Sequence, residues 1–412
     1  MKILLIGNHP HDHSNSLSMG LFADCLHRGL LEQGHEVRLV RPRGRMWRTG
    51  RSGGWQGKWA KYVDQFILAQ PELRRHETWA DVVHVCDHSN APFLSYLQGK
   101  PSVVTCHDTI GLKRALGHYR EEKAGLLGRV LQAWTARNLR KASRIACVSN
   151  TVERELTSLL PLDPGRLSTV YNGLNQPYHP MGAAETEDTL RDLGIAPDLP
   201  LVLHVGSDEW KKNRRAVAEI FAELRRMDHP LAGQLVFVGA PLEEPLRRYL
   251  QQAGLQDAVS HRHHLSGSQL CALYSRAGLF LFPSLYEGFG WPIIEAQACG
   301  ALVATSDRDP MREVAGAGAI LIDPQDPVAA AERIAGKTES RLETLRLNGL
   351  ANARRYTPEA MIKGYVALYE HTLDELCRMG VGASRNPSIT VENDGLRYAA
   401  PILPVVRVRG HE

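Results

Sequence analysis

Short apolar runs alternate with amphipathic stretches along most of the chain. Runs of this kind, bounded by polar or turn-forming residues, are typical of strands buried in a parallel sheet, and the stretches between them are typical of helices. The predicted strands are residues 2–8, 37–42, 81–87, 102–108, 144–149 and 167–172, followed by 201–206, 234–239, 258–264, 279–284, 301–306 and 319–323. Two successive series predict an α/β protein of two Rossmann-like β/α/β domains. Ligands bind beyond the carboxyl ends of such strands, so we expect a site in the cleft between the domains.

A change of composition separates the two series. Residues 173–199 are rich in proline, glycine and acidic residues, as is typical of a domain boundary. The predicted organisation is an N-terminal domain (1–178), a linker (179–199), a C-terminal domain (200–357), a long closing helix (358–378) and a mobile tail (379–412).

The composition is that of an ordinary globular protein. Of its 412 residues, 43% are hydrophobic and 23% are charged, and the net charge of +4 gives no indication of nucleic-acid binding. The seven cysteines form no CxxC pair, which predicts reduced thiols. No apolar run approaches the roughly 18 residues of a membrane span, and the first ten residues turn polar too soon for a signal peptide. We therefore expect a cytoplasmic protein.

Residues 38–61 combine arginines and lysines with three tryptophans and contain no acidic residue. One interpretation is a surface that makes peripheral contact with the inner face of a membrane and places a lipid-linked acceptor at the mouth of the cleft. The other is a solvated loop before a helix whose apolar stripe, including Trp59, Phe66 and Ile67, packs in the core. The tryptophans favour the interface, and both interpretations stay open.

Residues 279–299 carry the most informative motif, which predicts a strand, a loop and a helix in succession. Pro292 suits the first helical turn, where a missing N–H costs nothing. The free amides of Phe289, Gly290 and their neighbours then point into the cleft, an arrangement suited to phosphate.

Two glutamates, Glu287 and Glu295, lie eight positions apart in this motif. Carboxylates repel phosphate, so we expect them to bind hydroxyl groups, which a sugar and a ribose both offer. A helix start whose dipole is complemented by Glu295 is the plainer explanation, but it accounts for neither Glu287 nor the loop glycines.

A second strand-to-helix turn lies at residues 204–221. The chain turns at Gly206 into a helix that begins near Asn213, with Lys211 and Lys212 at its start. Two cations there oppose the helix dipole unless an anion binds them, which favours an anion site over a solvated basic patch.

The strand at 102–108 ends in His107 and Asp108, which places both at the cleft. A histidine in that position hydrogen-bonds a sugar hydroxyl or a developing charge, although a lone histidine is more often structural. The loop after the first strand faces the same cleft, and we place Asn15, Ser18 and Asp108 on the acceptor side.

The segment "PSLYEGFGWPIIEAQACGALVATS" (283–306) resembles the E-x7-E segment of retaining glycosyltransferases with the two-domain GT-B fold, in glycosyltransferase family 4 (group 1). The resemblance covers most of residues 1–378 and is strongest over 201–335. It implies that Glu287 lies near the donor sugar, that Glu295 holds the nucleotide ribose, and that the closing helix returns to the N-terminal domain.

The resemblance also gives roles to the other candidates. His107 matches the family's histidine at the donor sugar, and Lys212 matches its lysine on the donor diphosphate, with Lys211 and Gly206 beside it. Many members carry arginine directly after that glycine, where this chain has Ser207, and many have a Gly-Gly pair in the first loop, which this chain lacks. The second diphosphate contact then falls to Lys211 or to an arginine from elsewhere.

No metal or other cofactor is expected. His9, His11 and His13 alternate without a second ligand cluster, and the histidines of 261–264 more simply border the nucleobase. The "DRD" at 307–309 imitates a metal motif of a different, one-domain class of glycosyltransferase, and is interpreted as a loop.

The resemblance implies a retaining hexosyltransferase of polysaccharide or glycoconjugate synthesis. Its donor is a UDP- or GDP-sugar, with mannose or glucose as the hexose, and its acceptor is a saccharide or a lipid-linked saccharide. Two alternatives stay open: a sugar-phosphate phosphorylase or synthase of the same fold, and a non-catalytic scaffold in polysaccharide assembly.

Overall fold

Two six-stranded parallel sheets form the framework of the protein. The computed structural model describes residues 1–8, 16–41, 64–97, 99–119 and 124–378. The first sheet consists of Lys2–Ile6 (β1), Glu36–Val40 (β2), Val82–Val85 (β3), Ser102–Cys106 (β4), Arg144–Cys147 (β5) and Leu167–Thr169 (β6). The second consists of Leu201–Gly206 (β7), Gln234–Gly239 (β8), Val259–Arg262 (β9), Ala277–Phe282 (β10), Val303–Ser306 (β11) and Ala319–Ile322 (β12). Each strand overlaps one of the predicted runs.

The strand order is that of doubly wound domains. It is β2-β1-β3-β4-β5-β6 in the first sheet and β12-β11-β10-β7-β8-β9 in the second, and every pairing is parallel. The order reverses direction beside β1 in the first sheet and beside β7 in the second. A reversal of this kind opens a crevice at the carboxyl ends of the strands. The predicted fold class, two Rossmann-like domains, is confirmed.

Fourteen α-helices connect the strands within the described residues. They are Ser16–Glu32 (α1), Gln70–Glu77 (α2), Ile110–Ala115 (α3), Leu126–Leu139 (α4), Asn150–Leu159 (α5), Ala183–Asp192 (α6), Arg214–Arg226 (α7), Glu244–Gln252 (α8), Gly267–Arg276 (α9), Trp291–Ala298 (α10), Met311–Ala315 (α11), Pro327–Ala335 (α12), Glu339–Ala353 (α13) and Pro358–Arg378 (α14).

The last helix, α14, completes the core of the N-terminal domain. His84 on β3 is fully buried, with Nδ1 2.6 Å from the Tyr369 hydroxyl and Nε2 2.8 Å from Oγ1 of Thr105. Tyr365, also on α14, contacts the same threonine hydroxyl at 2.9 Å. These bonds satisfy polar groups that burial would otherwise penalise. Helix α14 thus returns from the C-terminal half of the chain to the first sheet.

The segment between the two sheets is structured. Residues 179–199 contain α6, which packs against α9 and buries Leu190 completely. Arg262 on β9 donates to the carbonyl oxygens of Leu193 (2.5 Å) and Gly194 (2.9 Å) just beyond that helix. The segment predicted as a linker therefore covers one edge of the second sheet.

Several predictions concern residues outside the described ranges. They are the tail (379–412), the alternating histidines His9, His11 and His13, Asn15, and residues 42–61 of the basic-aromatic segment. Just after that segment, Phe66 is buried against Phe93 and Trp134, whereas Ile67 is 55% exposed, so the predicted apolar stripe holds at Phe66 and fails at Ile67. Within the described part of the chain, no helix combines the length and apolar character needed to cross a membrane.

Candidate active site in the interdomain cleft

The loop between β10 and α10 brings together the candidate residues of the C-terminal domain. The backbone amide of Leu285 donates to the Lys211 carbonyl oxygen at 2.7 Å, which joins this loop to the short 3₁₀ turn Trp210–Lys212. Asn213 follows that turn in the left-handed conformation (φ 53°), and its side-chain amide donates to the carbonyl oxygens of Pro283 and Pro324. These bonds fix both lysines against the loop that carries Glu287.

Lys212 and Glu287 form an ion pair at the centre of the site. Lys212 Nζ lies 2.7 Å from Oε1 of Glu287, and the two side chains are only 15% and 9% exposed. The ammonium group also lies 5.2 Å from the ring centroid of Phe282. A buried cation held by one carboxylate and an aromatic face is well placed to exchange that carboxylate for a bound anion.

Lys211 is the second cation of the turn. Its Nζ lies 3.0 Å from Glu209 Oε2. Burial lowers the pKa of Lys211, but the carboxylates of Glu287, Asp108 and Glu209 outweigh burial and leave the pKa raised. Lys211 is therefore positively charged and lies in the field of carboxylates from both domains.

Glu295 lies on α10 and is 6% exposed. The Tyr274 hydroxyl donates to its Oε2 at 2.9 Å. Burial raises the pKa of Glu295 to about 7, although the Tyr274 hydrogen bond and the charge of Lys212 both act to lower it. The carboxyl group therefore changes charge close to neutral pH.

His107 follows β4 in the N-terminal domain and is 6% exposed. Its Nε2 lies 2.8 Å from the Cys86 carbonyl oxygen, and its ring meets the edge of Phe22 with centroids 4.8 Å apart. A carbonyl only accepts, so Nε2 carries the proton. Burial lowers the pKa of His107, which keeps the ring neutral, and Nδ1, buried without a partner among the described residues, is a free acceptor.

Gly288 brings the two domains into contact at His107. A Cβ atom on Gly288 would lie 1.7 Å from the His107 carbonyl oxygen and 3.0 Å from Cβ of Asp108, so only glycine fits this approach. The carbonyl oxygen of Gly288 accepts from the Ser149 hydroxyl at 2.7 Å. The loop that carries Glu287 is thereby pressed against the end of β4.

A carboxylate of the N-terminal domain holds the same loop one residue earlier. Glu155 on α5 accepts from the hydroxyls of Thr109 (2.5 Å) and Tyr286 (2.9 Å), and it forms an ion pair with Lys113. Tyr286 precedes Glu287 in the chain, so this contact fixes the position of the glutamate relative to the N-terminal domain.

Glu313 makes a further interdomain contact at the amino end of α5. Its carboxylate accepts from the backbone amide of Asn150 at 2.9 Å, from the Thr151 hydroxyl at 3.0 Å and from the Tyr171 hydroxyl at 2.8 Å. Amides at a helix start favour a negative charge, so this carboxylate caps a helix of the opposite domain.

A polar cluster at the carboxyl ends of β1 and β3 was not identified from the sequence. The side-chain amide of Asn8 donates to Asp87 Oδ2 at 2.7 Å, and that of Asn90 donates to Asn8 Oδ1. The predicted strands "KILLIGN" and "DVVHVCD" each end in a polar residue, and these two polar ends are the signal in the sequence that could have indicated the cluster.

The other candidates have varied surroundings. Ser18 is exposed in the first turn of α1. Asp108 accepts from the backbone amide of Ile110, the first residue of α3, at 2.9 Å. The ring of Phe289 is buried among Tyr171, Trp291 and Tyr356, so any contact of this residue with a ligand is through its backbone. Gly290 has a φ of 98° and directly precedes α10, which has Pro292 in its first turn. Gly206 ends β7, where an added Cβ would approach His204 and Lys212.

The residues considered for metal binding are engaged elsewhere. Asp307 and Asp309 both pair with Arg312, and Asp309 also pairs with Arg154 of the N-terminal domain at 3.1 Å. His261 Nε2 donates to the Gly239 carbonyl oxygen at 2.9 Å, and its ring stacks on that of His263, with centroids 5.6 Å apart. Across the described ranges, no group of three His, Cys, Asp or Glu side chains is arranged to hold a metal ion.

Structural comparison identifies the fold. A sucrose-phosphate synthase from Thermosynechococcus elongatus superposes with a TM-score of 0.71 at 18% identity, covering 91% of this chain and 100% of that one. Anabaena Alr3699/HepE, solved in complex with UDP, superposes with a TM-score of 0.67 at 16% identity over 90% of this chain and 100% of that one. At these identities the likeness shows the fold, which is the GT-B arrangement of two facing domains.

Curated relatives match at the level of sequence. The O-antigen chain mannosyltransferase B of Escherichia coli is 28% identical over 226 residues, which is 54% of this chain and 59% of that protein. The D-inositol 3-phosphate glycosyltransferase 2 of Catenulispora acidiphila is 28% identical over 295 residues, which is 68% of this chain and 67% of that protein. The chain thus spans about three-fifths to two-thirds of the length of these two relatives.

Two family models match consecutive parts of the chain. "Glycosyltransferase Family 4" matches residues 19–176, and "Glycosyl transferases group 1" matches residues 185–352. The first match falls on the sheet that carries His107, and the second on the sheet that carries Lys212, Glu287 and Glu295. Together the two matches take in most of the chain, and the protein belongs to the group 1 glycosyltransferases of family 4.

Proposed function

We propose that the protein is a retaining hexosyltransferase that moves mannose or glucose from a nucleotide-diphosphate sugar to a saccharide or lipid-linked saccharide acceptor. The observation that carries the proposal is the buried Lys212–Glu287 pair, whose glutamate lies on a loop pressed against His107 of the opposite domain. Cation, carboxylate and neutral imidazole thus converge at the carboxyl ends of two sheets, where a donor spanning the cleft meets all three.

Binding of the donor diphosphate rearranges the ion pair in this proposal. In the free protein Glu287 neutralises Lys212. When the diphosphate arrives, it takes over the lysine, and Glu287 turns to the hydroxyls of the hexose. Loop amides near Gly290 add donors to the same phosphates.

The residues of the site then have different roles: some bind the donor, and others stabilise the transition state. Lys212, with Lys211 beside it, stabilises the negative charge that develops on the leaving diphosphate as the glycosidic bond breaks, and this lowers the barrier. Nδ1 of His107 accepts a hydrogen bond from a hexose hydroxyl, and Glu295 accepts from the ribose hydroxyls. No side-chain nucleophile is assigned. As in the family it resembles, the acceptor hydroxyl attacks on the face of the departing phosphate, which takes up its proton.

The names of the relatives support the donor class. They include mannosyltransferases and an α-maltose-1-phosphate synthase of Mycolicibacterium smegmatis (29% identical over 235 residues), and Anabaena Alr3699/HepE was solved with UDP-glucose. Because one of these relatives is a synthase of a sugar phosphate, a reaction with a sugar phosphate as acceptor or product is the second candidate function for this chain. We propose that no metal is required, because two lysines and a helix start supply the positive charge.

Donor binding is tested by thermal unfolding with UDP, GDP, UDP-glucose and GDP-mannose. A ligand that binds only the folded state raises the free energy of unfolding by RT ln(1 + [L]/Kd), about 2.7 kcal/mol at a concentration of 100 Kd. We expect one nucleotide series to raise Tm by several degrees, with EDTA making no difference, and its sugar nucleotide to be hydrolysed slowly. If neither nucleotide series protects the protein against thermal unfolding, the enzyme proposal is contradicted. Turnover of a sugar phosphate without nucleotide favours the phosphorylase.

The charge of Glu295 predicts a pH dependence of donor binding. An ionised carboxylate is a better acceptor for ribose hydroxyls than the protonated acid, and the pKa of Glu295 is about 7. Donor affinity is therefore expected to rise as pH increases through 7. Stability changes in the opposite direction: the folded-state pKa lies above the ordinary 4.5, so this carboxyl contributes stability at low pH that is lost as pH rises through 7.

Titration calorimetry of nucleotide binding across this pH range tests the prediction. Glu295→Gln is expected to bind more weakly than the wild-type protein at pH 8 and to lose most of the pH dependence, because its amide does not titrate. A pH profile that Glu295→Gln leaves unchanged contradicts the role given to this carboxylate.

A further inference from the structure

Two aromatic side chains meet across the cleft beside the donor site. Tyr119, which follows α3 in the N-terminal domain, makes an edge-on contact with Trp210 of the C-terminal domain, with ring centroids 5.5 Å apart. Trp210 begins the 3₁₀ turn that carries Lys211 and Lys212. The two rings therefore lie where the domains meet, next to the lysines assigned to the donor diphosphate. We call Tyr119 and Trp210 the aromatic pair.

The aromatic pair keeps open surface although it bridges the domains. Trp210 is 37% exposed and Tyr119 is half-buried, because an edge-on contact covers only part of each ring. The C–H groups of a pyranose ring carry partial positive charge and are attracted to the negative face of an aromatic ring. Small-molecule sites commonly combine aromatic surface of this kind with a few polar groups. The exposed part of the pair is therefore suited to a sugar ring.

The Tyr119 hydroxyl lies in the field of charged groups from both domains. Burial raises the pKa of Tyr119, the carboxylates of Glu155 and Asp108 raise it further, and the ammonium group of Lys211 acts to lower it. The hydroxyl therefore stays protonated and can donate a hydrogen bond. Since such charge effects are strong only at short range, the aromatic pair lies close to Asp108 at the end of β4.

Asp108 supplies a hydrogen-bond acceptor at this place. It is partly buried and directly follows His107, whose Nδ1 is a free acceptor for the donor hexose. One carboxylate oxygen of Asp108 accepts from the Ile110 amide, and within the described ranges the other oxygen has no hydrogen-bond donor. A carboxylate oxygen with spare capacity accepts from a sugar hydroxyl. Asp108 can thus hold a second sugar next to the donor hexose.

The carboxylate of Asp108 is also the charge that stays unpaired here. Each of the three lysines at this part of the cleft has a carboxylate partner. The pairs are Lys113–Glu155, Lys211–Glu209 and Lys212–Glu287. Asp108 forms no ion pair with any described residue. A neutral hydroxyl is therefore accepted beside Asp108, whereas a phosphate group on the incoming sugar is repelled.

We propose that the aromatic pair and Asp108 form the subsite of the acceptor, and that the sugar residue bound there is a neutral pyranose. Its ring stacks on Trp210 and Tyr119, and its hydroxyls donate to Asp108. That this sugar is the acceptor rests on the proposed function. A sugar phosphate as acceptor, which belongs to the second candidate function, is disfavoured by the charge of this subsite.

Titration calorimetry of the full chain with four oligosaccharides tests the subsite. They are mannotriose, maltotriose and the 6-phosphate of each on its non-reducing residue, measured in the presence of UDP and, separately, of GDP. Wild-type protein is expected to bind at least one neutral trisaccharide, and to bind its phosphate about fivefold more weakly or less. Tyr119→Ala is expected to bind the neutral trisaccharide about fivefold more weakly, whereas Tyr119→Phe, which keeps the ring, is expected to bind almost as the wild type does.

Asp108→Asn gives a result that a merely structural role does not predict. The amide oxygen still accepts a hydroxyl, but the negative charge is gone. We expect this variant to bind the phosphorylated trisaccharide more tightly than the wild type does, so that the preference for the neutral sugar falls by about threefold or more. The matched control for the tyrosine is Tyr249→Ala. Tyr249 lies on α8 with its ring 3.6 Å from the guanidinium carbon of Arg215, and this variant should bind as the wild type does.

Five results overturn the proposal. They are absence of trisaccharide binding by the wild-type protein, equal binding of the neutral and phosphorylated forms, unchanged binding by Tyr119→Ala, an unchanged preference in Asp108→Asn, and a more open Tyr119→Ala molecule by small-angle scattering. The last result would identify the aromatic pair as a contact that holds the domains together. Equal melting temperatures of wild type and variants show that the fold is intact.

Thermal unfolding with nucleotides and sugar nucleotides separates this proposal from the proposed function. Trisaccharide binding with the expected variant effects, without protection by any nucleotide, leaves the saccharide subsite in place and contradicts the proposed function. Nucleotide protection and hydrolysis of a sugar nucleotide without trisaccharide binding do the reverse.

Discussion

Replacing Lys212 with glutamine is expected to lower turnover by about 10²- to 10³-fold, the range seen when one preorganised donor to a developing charge is removed. The Lys212 side chain is 15% exposed, and Glu287 positions its ammonium group before the diphosphate binds, so the lysine itself need not move far when Glu287 turns to the hexose. The interaction strengthens as charge develops on the leaving group. We therefore expect kcat to fall more than KM rises, as measured by steady-state kinetics with the sugar nucleotide.

Further substitutions, in the ion pair and away from it, test the same prediction. Glu287→Gln is expected to lower turnover about a hundredfold, because hydrogen bonds to a charged group contribute about 1.5–3 kcal/mol. The effects of the two substitutions should not be additive, since each removes the partner of the other. Lys363→Gln, on the exposed side of α14, is the matched control and should retain wild-type kinetics. Additive effects, or normal turnover in either variant of the pair, contradict the proposed rearrangement.

Replacing Gly288 with alanine is expected to abolish most activity even though one methyl group is added. The new Cβ would lie 1.7 Å from the His107 carbonyl oxygen, a contact that backbone atoms cannot accommodate without movement. The loop must then retreat from β4, which separates Glu287 from His107. A misplacement of about 1 Å can cost roughly 10²-fold in rate, and a loss of at least that size is expected.

Gly182→Ala is the matched control for this substitution. Gly182 precedes α6, and nothing lies within 4 Å of an added Cβ. The two variants should have comparable circular dichroism, because the Gly288 contact is between domains and not inside one. Small-angle scattering should show Gly288→Ala as the more open molecule. Full activity in Gly288→Ala would contradict the closed arrangement of the cleft.

The sequence predicted the strands well because most of them are buried apolar runs, whereas the edge strands β2 and β9 are only partly buried. It also predicted Lys212, Glu287 and Glu295 as members of one site, since all three lie in or just after strand-to-helix turns. Their pairing was not predictable: Lys212 and Glu287 are 75 positions apart, and they meet because the Leu285 amide bonds to the Lys211 carbonyl across neighbouring strands.

Contacts between strands and between domains could not be predicted from the sequence, for a physical reason. The Asn8–Asp87 bond exists because β1 and β3 are adjacent, and strand order is set by the packing of the connecting helices. The contacts of Glu155 with Tyr286 and of Glu313 with α5 depend on how closely the domains approach, which no local pattern reports. Residues at such contacts look like ordinary surface residues in the sequence.

The return of α14 to the first sheet has a consequence for biosynthesis. The N-terminal sheet is complete in sequence at about residue 170, but the tyrosines that close over His84 and Thr105 are residues 365 and 369. At a translation rate of roughly 5–20 residues per second, the ribosome supplies them on the order of 10–40 s later. During that interval the nascent first domain leaves His84 and Thr105 without these partners, and a premature stop in the C-terminal half before residue 365 leaves both halves of the enzyme unfinished.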